Sequence, residues 1–384
     1  MVEKKKFLLI MLLMILGIYG CTTAPHIPTT IYVPDDYSTI QEALDAASTG
    51  DTVLVAPGTY YENIIWPHTD DIVLLSECGP DSTIIDGKGG GDVIRIGTGV
   101  DSTTVIKGFT IKNAISGIYC YIHSSPTIIG NVITEHITGA REGGGICCKG
   151  GSSPLIVNNT ISNNTTIGIY CKDSSPLIFG NTITNNSYSL GAIYCKYSSP
   201  VIEGNTISEN KCRGIHIWAG APTITGNTIT DNFTAGIFCE GGISRSYPVI
   251  SANIISNNRG DGIYAGTSEP KINNNVISDN LAHGIRNQMG YQVNANYNNI
   301  TGNMAYGIYK YSCSQSSKII NAEYNWWGAK SGPGGVGPGT GDKVSDCVDY
   351  RPWLTEPVDI GQQTKHCTTN VKRRPPFEAF TVRQ

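Results

Sequence analysis

Residues 168–186 read GIYCKDSSPLIFGNTITNN, and residues 192–210 read AIYCKYSSPVIEGNTISEN. Much of the first phrase returns in the second: an isoleucine, a cysteine, a proline and two asparagines keep their places. Aligning the prolines extends the series to Pro126, Pro154, Pro176, Pro200, Pro222, Pro248 and Pro270, separated by 28, 22, 24, 22, 26 and 22 residues. Each is followed by x-I-x-x-N-x-I-x-x-N or a close variant, as in PLIVNNTISNN and PKINNNVISDN, with a degenerate eighth copy, VNANYNNITGN, from Val293. Gly-Ile phrases such as GICCK, GIHIW and GIFCE stand between the copies.

A unit therefore holds three short β-forming runs separated by Gly, Asn, Ser or Pro, each too short to bury a face alone. Stacking equivalent runs in parallel, about 4.8 Å per coil, gives them a common core. Parallel crossovers are right-handed in nearly all cases. The expected fold is all-β: a single-stranded right-handed parallel β-helix, a solenoid of about 22-residue coils with three parallel sheets. Helical repeats of similar length are disfavoured, because turn residues break the Ile-x-Ile spacing and Thr is abundant.

Repetition assigns roles. Asn131, Asn159, Asn181, Asn205, Asn227, Asn253, Asn275 and Asn298 fall at one bend, where a left-handed conformation suits Asn and its amide can bridge two coils. A second column runs His136, Asn164, Asn186, Asn210, Asn232, Asn258, Asn280, Asn303. Alternation in GIYCK points Ile169 and Cys171 one way and Tyr170 and Lys172 the other. With isoleucine inside, Cys120, Cys148, Cys171, Cys195 and Cys239 form an interior column of free thiols, shared with Ile217 and Ala265. No CxxC or Cys-His spacing supports a metal site. Cys347 and Cys367, outside the column, are the disulfide candidates.

The outward partners compose an aromatic and basic stripe: Tyr119, Tyr170, Lys172, Tyr194, Lys196, His216, Trp218, Phe238, Tyr264 and Tyr309, with Tyr121, Lys149, Arg286 and Tyr311 beside them. Aromatic faces stack on sugar rings and lysines meet carboxylates, so this is the candidate carbohydrate-binding face; β-propensity alone also favours Tyr there. Acidic residues collect in another column, Glu135, Glu209, Asp231 and Asp279. Glu209 and Asp231, on successive coils, could share Ca²⁺, although solvated turn residues are the plainer reading.

The chain has 384 residues, 40% apolar and 15% charged, with a net charge of -4. No basic excess exists to neutralise phosphates, so nothing favours a nucleic-acid partner and none is expected. At the amino terminus, Lys4, Lys5 and Lys6 precede an apolar run from Phe7 to Tyr19, then Gly20 and Cys21. This reads as a secretory signal over 1–20; its apolar run is shorter than the roughly 20 residues a spanning helix needs, which makes an uncleaved transmembrane anchor the lesser alternative. Ile18-Tyr19-Gly20-Cys21 resembles the lipobox of bacterial lipoproteins, which implies lipidation of Cys21, a tether over 21–30 and anchorage in the cell envelope.

Beyond the tether, the β-helix and its cap are expected over 31–328 and a carboxyl-terminal cap and flexible tail over 329–384. Ser38 or Thr39 could cap a short helix through Ala47 that covers the open end of the core, with Thr52 to Ala56 as the first strand. This helix and VAPGTYYENI after it resemble the amino-terminal part of pectin-esterase and pectate-lyase-like β-helix proteins. YNWWGAKSGPGG (324–335) and DYRPWL (349–354) resemble the closing segment of bacterial β-helix surface proteins, and Trp326 and Trp327 are expected to lid the last coil.

The resemblance implies a pectate-lyase-like superfamily fold, which hosts lyases, hydrolases, esterases, epimerases and non-enzymatic surface proteins, so it does not select a function. No pectin-esterase Asp and Gln signatures, clustered polygalacturonase-like aspartates or copper-binding His/Met pattern can be placed. The expectation is a monomeric, envelope-anchored lipoprotein binding polysaccharide without a cofactor. The alternatives are a polysaccharide lyase or related enzyme, with Lys172, Lys196, Glu209 and Asp231 as candidates, and a structural spacer.

Overall fold

The computed structural model describes residues 26–137, 143–242, 244–313 and 318–360. Within these, the chain winds into an all-β parallel solenoid of about 12 turns. Three columns of strands stack coil on coil. The first sheet has 14 strands in chain order, from Thr30–Val33 to Val348–Asp349, and holds the runs that follow each proline. The second holds the Thr-Ile-Thr/Ser runs, such as Thr182–Thr184 against Thr206–Ser208. The third holds the Gly-Ile phrases, such as Ile167–Lys172 against Ile193–Lys196.

Registers preserve the repeat. The isoleucine at the middle of each short strand is buried: Ile156, Ile178, Ile202 and Ile224 in the first sheet, Ile161, Ile183, Ile207 and Ile229 in the second. Coils approach so closely at the glycine of the Gly-Ile phrase that a Cβ on Gly214 would lie 2.6 Å from the Gly236 carbonyl oxygen.

Both asparagine columns are buried ladders. Asn181 donates from its backbone N–H (2.9 Å) and from Nδ2 (3.0 Å) to Oδ1 of Asn205, which does the same to Asn227. Nδ2 also reaches the carbonyls of Ile156 and Phe179. The second column repeats the arrangement from Asn164 to Asn303, with His136 at its head. The left-handed conformation expected of the ladder asparagines belongs instead to the residue before each: Gly180, Gly204 and Gly226 in one column, Asn185, Glu209 and Asp231 in the other. The ladder side chain must point into the core, and the preceding residue makes the turn that aims it there. The serines of Ser-Ser-Pro form a further file, in which the N–H groups of Ser175, Ser199 and Ala221 donate to the hydroxyls of Ser153, Ser175 and Ser199.

The ends differ from the repeat. Thr39 caps the helix Ile40–Ala46, its side chain accepting from the Glu42 N–H. The first strand is Thr30–Val33, ahead of the helix rather than after it, and pairs with Thr52–Val55. Glu62 of the VAPGTYYENI phrase accepts from the N–H groups of Ile40 and Gln41, the free donors of the helix start. At the other end the winding continues past residue 328, since Val348–Asp349 pairs with Ile320–Asn321. Trp327 is fully buried against the core and Trp326 partly so.

The cysteine column forms as expected. Cys120, Cys148, Cys171, Cys195, Ile217, Cys239 and Ala265 follow one another in register, and all five thiols are free and buried. Burial raises the Cys120 and Cys239 thiols well above the ordinary range. The disulfide differs: Cys347 pairs with Cys313, at 5.9 Å between Cα atoms, because the coil after Ile308–Lys310 brings Cys313 beside it. Cys367, Cys21, the signal and the tail lie outside the described residues.

Two outcomes follow. Asn205→Ala leaves the Asn181 N–H and Nδ2 without their ladder acceptor, so urea denaturation should register a loss on the order of 2–4 kcal/mol; a loss below about 1 kcal/mol would contradict the ladder's role. Alkylation of native protein should spare Cys120, Cys148, Cys171, Cys195 and Cys239, whereas denaturation without reductant should label all five. Recovering them as blocked disulfides would overturn the free-thiol column.

Candidate functional site on the third sheet

The outer face of the third sheet carries Arg95, Tyr119, Cys147, Tyr170, Tyr194, His216, Phe238, Tyr264, Arg286 and Tyr309 in unbroken register. A second outward row runs Lys149, Lys172, Lys196, Trp218, Glu240. All ten sequence-predicted binding residues therefore lie on one face.

They are not equally available. Tyr170, Tyr194 and His216 are buried, against the expectation of an open stripe; with Cys147 and Ile167, Tyr170 and Tyr194 make a small second core against which Tyr188 and Leu190 pack. Ring faces are also in use: Tyr170 stacks on Tyr194 at 5.4 Å, Tyr194 meets His216 at 4.7 Å, and Phe238 stacks on Tyr264 at 4.3 Å. Cations take other faces, with Arg213 over Phe238 at 4.1 Å and Lys149 5.0 Å from the Tyr170 ring centre. Tyr119, Lys172, Lys196, Trp218, Phe238, Tyr264 and Tyr309 are half-buried and make up the reachable part.

His216 is a neutral imidazole. Its Nδ1 lies 3.0 Å from the Leu190 carbonyl oxygen, which can only accept, so Nδ1 carries the proton and Nε2 presents a lone pair with no hydrogen-bond partner. Burial, then the Arg213 guanidinium, bring its pKa from 6.5 to about 3.

Glu209 and Asp231 lie elsewhere. Both occupy exposed left-handed positions at the bend before the third sheet, while Lys172 and Lys196 end its strands. Glu135 and Asp279 share that conformation, as expected of turn residues. Among the described residues no group of three or more His, Cys, Asp or Glu is placed to hold a metal ion.

Sequence reasoning missed Arg213, which follows the second-ladder asparagine by three residues and reaches the aromatic face. A usable signal was present. From each proline to the first ladder position, and from there to the second, the count is always five; all variation between 22 and 28 falls in the connections flanking the third sheet, chiefly before Ile146 and Ile193 and between Cys239 and Pro248. Two sheets are held to a strict repeat and the third is bordered by insertions.

Residues 94–246 and 243–323 match the family model described as a right handed beta helix region. No curated protein matches the chain. Among solved structures, the A-module of mannuronan C-5 epimerase AlgE4 from Azotobacter vinelandii is similar over 76% of this chain and 91% of its own, at 16% identity and a TM-score of 0.57. A mannuronic acid specific polysaccharide family 6 lyase from human gut microbiota is similar over 88% and 94%, at 14% identity and 0.56. Dettilon tailspike protein gp208 is similar over 82% and 68%, at 13% identity and 0.62. At such identities the likeness is one of fold.

Three histidines give the molecule a pH signature. His136 at the head of the second ladder, His216 on the third sheet and half-buried His283 are held by desolvation at about 4, 3 and 4, below their ordinary 6.5. Between those values the unfolded chain binds more protons, so their contribution is fully present above pH 6.5 and is lost as pH falls towards 4. The denaturation midpoint should drop over that window, and His216→Gln should shrink the drop. An unchanged midpoint would mean these imidazoles are hydrated.

Proposed function

The chain belongs to the right-handed β-helix family, with a pectate-lyase-like superfamily fold, and from that premise we propose that it binds an acidic polysaccharide along the outer face of its third sheet. The observation that carries the reading is the in-register row Lys149, Lys172, Lys196. Like charges directly opposite on neighbouring strands repel. Neither Lys172 nor Lys196 has a carboxylate partner among the described residues. A polyanion running along the coils would relieve that repulsion with one carboxylate after another, while the edges of Trp218, Phe238 and Tyr264 meet the apolar faces of its sugars. Insertions bordering this sheet and neighbours whose names describe enzymes of mannuronan and mannuronic acid support the same reading.

The alternative is a polysaccharide lyase or other carbohydrate-active enzyme of this fold, and its support is the likeness to solved structures whose names describe an epimerase and a lyase; the buried, weakly basic His216 offers a substrate no accessible base. We read residues 1–20 as an export signal followed by a lipidated Cys21, which would hold the protein at the cell envelope; the support is the basic-apolar-Cys pattern itself.

Retention should be measured on immobilised polyuronates and neutral glycans, with and without Ca²⁺. We expect retention on polyuronates that falls with salt and drops at least tenfold in the Lys172→Ser/Lys196→Ser variant. Equal retention on neutral glycans, or none on either, would sink the reading. New ultraviolet absorbance from unsaturated sugar would establish the enzymatic alternative. Fatty-acid labelling lost in Cys21→Ser would establish the anchor.

A further inference from the structure

The outer face of the first sheet plays no part in the glycan reading, and its middle is apolar. Alternation about the buried row Ile106, Ile128, Ile156, Ile178 and Ile202 turns two files outward. One runs Val105, Thr127, Leu155, Leu177, Val201, and the other Lys107, Ile129, Val157, Phe179, Glu203. Leu177, Phe179 and Val201 are 38%, 41% and 38% exposed, whereas the outward Tyr170 and Tyr194 of the third sheet are buried. Contiguous apolar surface of this kind marks an interaction site.

Charge bounds the patch. Over these five coils the two files carry only Lys107 and Glu203 as charged residues, one at each end of the same file. The positions beside the strands are neutral: Ser153, Ser175 and Ser199 before them, Asn158, Gly180 and Gly204 after. Neither Lys107 nor Glu203 has a salt-bridge partner among the described residues.

We propose that this face binds a second copy of the chain, in place of the monomer expected from the sequence, about a twofold axis that runs along the strand Leu155–Val157. Such an axis reverses the order of the coils and sets each file against itself. The coil of Lys107 lies two before the axis and that of Glu203 two after, so Lys107 of each copy faces Glu203 of the other. Ile129 then faces Phe179, Val105 faces Val201, and Leu155 and Val157 face their own counterparts. Charge selects this register: an axis half a coil earlier sets Lys107 against Phe179 and Glu203 against Leu75, and an axis along the solenoid sets Lys107 against Val105. The face is large enough. From Val73 to Thr223 it spans seven coils. At about 4.8 Å per coil and about 16 Å across, each copy would contribute roughly 550 Å². The pair would bury about 1,100 Å², just above the roughly 1,000 Å² a specific interface needs, which fits a reversible dimer.

Sedimentation equilibrium on the full chain should show monomer and dimer in reversible exchange. Leu177→Ser/Phe179→Ser should weaken the dimer at least tenfold. Lys107→Glu should also weaken it, because carboxylates then oppose each other at both symmetric contacts, and Lys107→Glu/Glu203→Lys should restore the original constant. A chain that is monomeric at every concentration would overturn the proposal. So would a dimer that Leu177→Ser/Phe179→Ser leaves unchanged, held by another face or by the apolar amino-terminal run, and so would a charge exchange that restores nothing. Monomers that bind phosphatidylcholine vesicles, and lose that binding in Leu177→Ser/Phe179→Ser, would give the face a lipid occupant and overturn it as well. Because the third sheet is not involved, Lys172→Ser/Lys196→Ser should dimerise as the unaltered chain does, which separates failure of this proposal from failure of the glycan reading.

Discussion

Everything in this molecule depends on how buried backbone groups are satisfied at the bends. Parallel strands satisfy one another along a sheet, but each coil bends between sheets, where donors and acceptors would otherwise be left in the core. The asparagine amide solves this because it accepts at Oδ1 and donates twice at Nδ2. At each coil Oδ1 takes two hydrogen bonds from the coil before, as Asn205 does from Asn181, and Nδ2 donates to Oδ1 of the coil after, to a carbonyl of the coil before (Ile178) and to a local one (Glu203). Such a ladder has a direction and must end on a group that can accept. Asp342 closes the second ladder, its carboxylate taking the N–H groups of Gly302 and Asn303 and the Asn303 amide. Asn325 closes the first, turning its own amide to the carbonyls of Ala295 and Ala322.

The ladders also decide where the chain is free to change. A residue inserted between two ladder positions would displace an amide from its partner in both neighbouring coils and leave several buried donors unpaired. The same residue inserted in a connection to the third sheet loops outwards and disturbs nothing inside. This is why the five-residue intervals are constant while the connections around Gly144–Lys149, Ile193–Lys196 and Ile237–Glu240 vary. Tyr188 and Leu190 come from one such lengthened connection, and they shelter Tyr194 beneath them. Variation in length becomes relief on one face of an otherwise uniform prism.

The solenoid, its registers and the inward cysteines were legible because they repeat: a position occupied by isoleucine or cysteine on successive coils has its orientation stated several times over. Features that occur once were not. The left-handed turn residue was misplaced by one position, since glycine and asparagine stand side by side in Gly-Asn-Thr-Ile and both suit such a turn. Cys313 was not recognised as the partner of Cys347, because their proximity arises from the irregular closing coils. On the third sheet, alternation placed Tyr170, Tyr194 and His216 outward correctly but could not foresee that outward here means buried. Alternation reports which side of a strand a residue takes; what lies above that side is decided by connections outside the repeat.

A net charge of -4 does not conflict with a polyanion partner, because the charges are sorted by column. The acids Glu135, Glu209, Asp231 and Asp279 sit at turns before the third sheet, exposed to water. The lysines stand at the far ends of its strands, with Arg213, Arg286 and Arg95 against the aromatic rings. Charges separated by more than the Debye length, about 8 Å at physiological ionic strength, are largely screened from each other at the surface. A ligand lying on the row responds first to the lysines it touches. Half-burial strengthens that response, since part of each lysine's surroundings is protein rather than water. The aromatic column beneath then acts as a low-dielectric floor: its rings are committed to one another and to the arginines, and they sharpen the field of the cations above them.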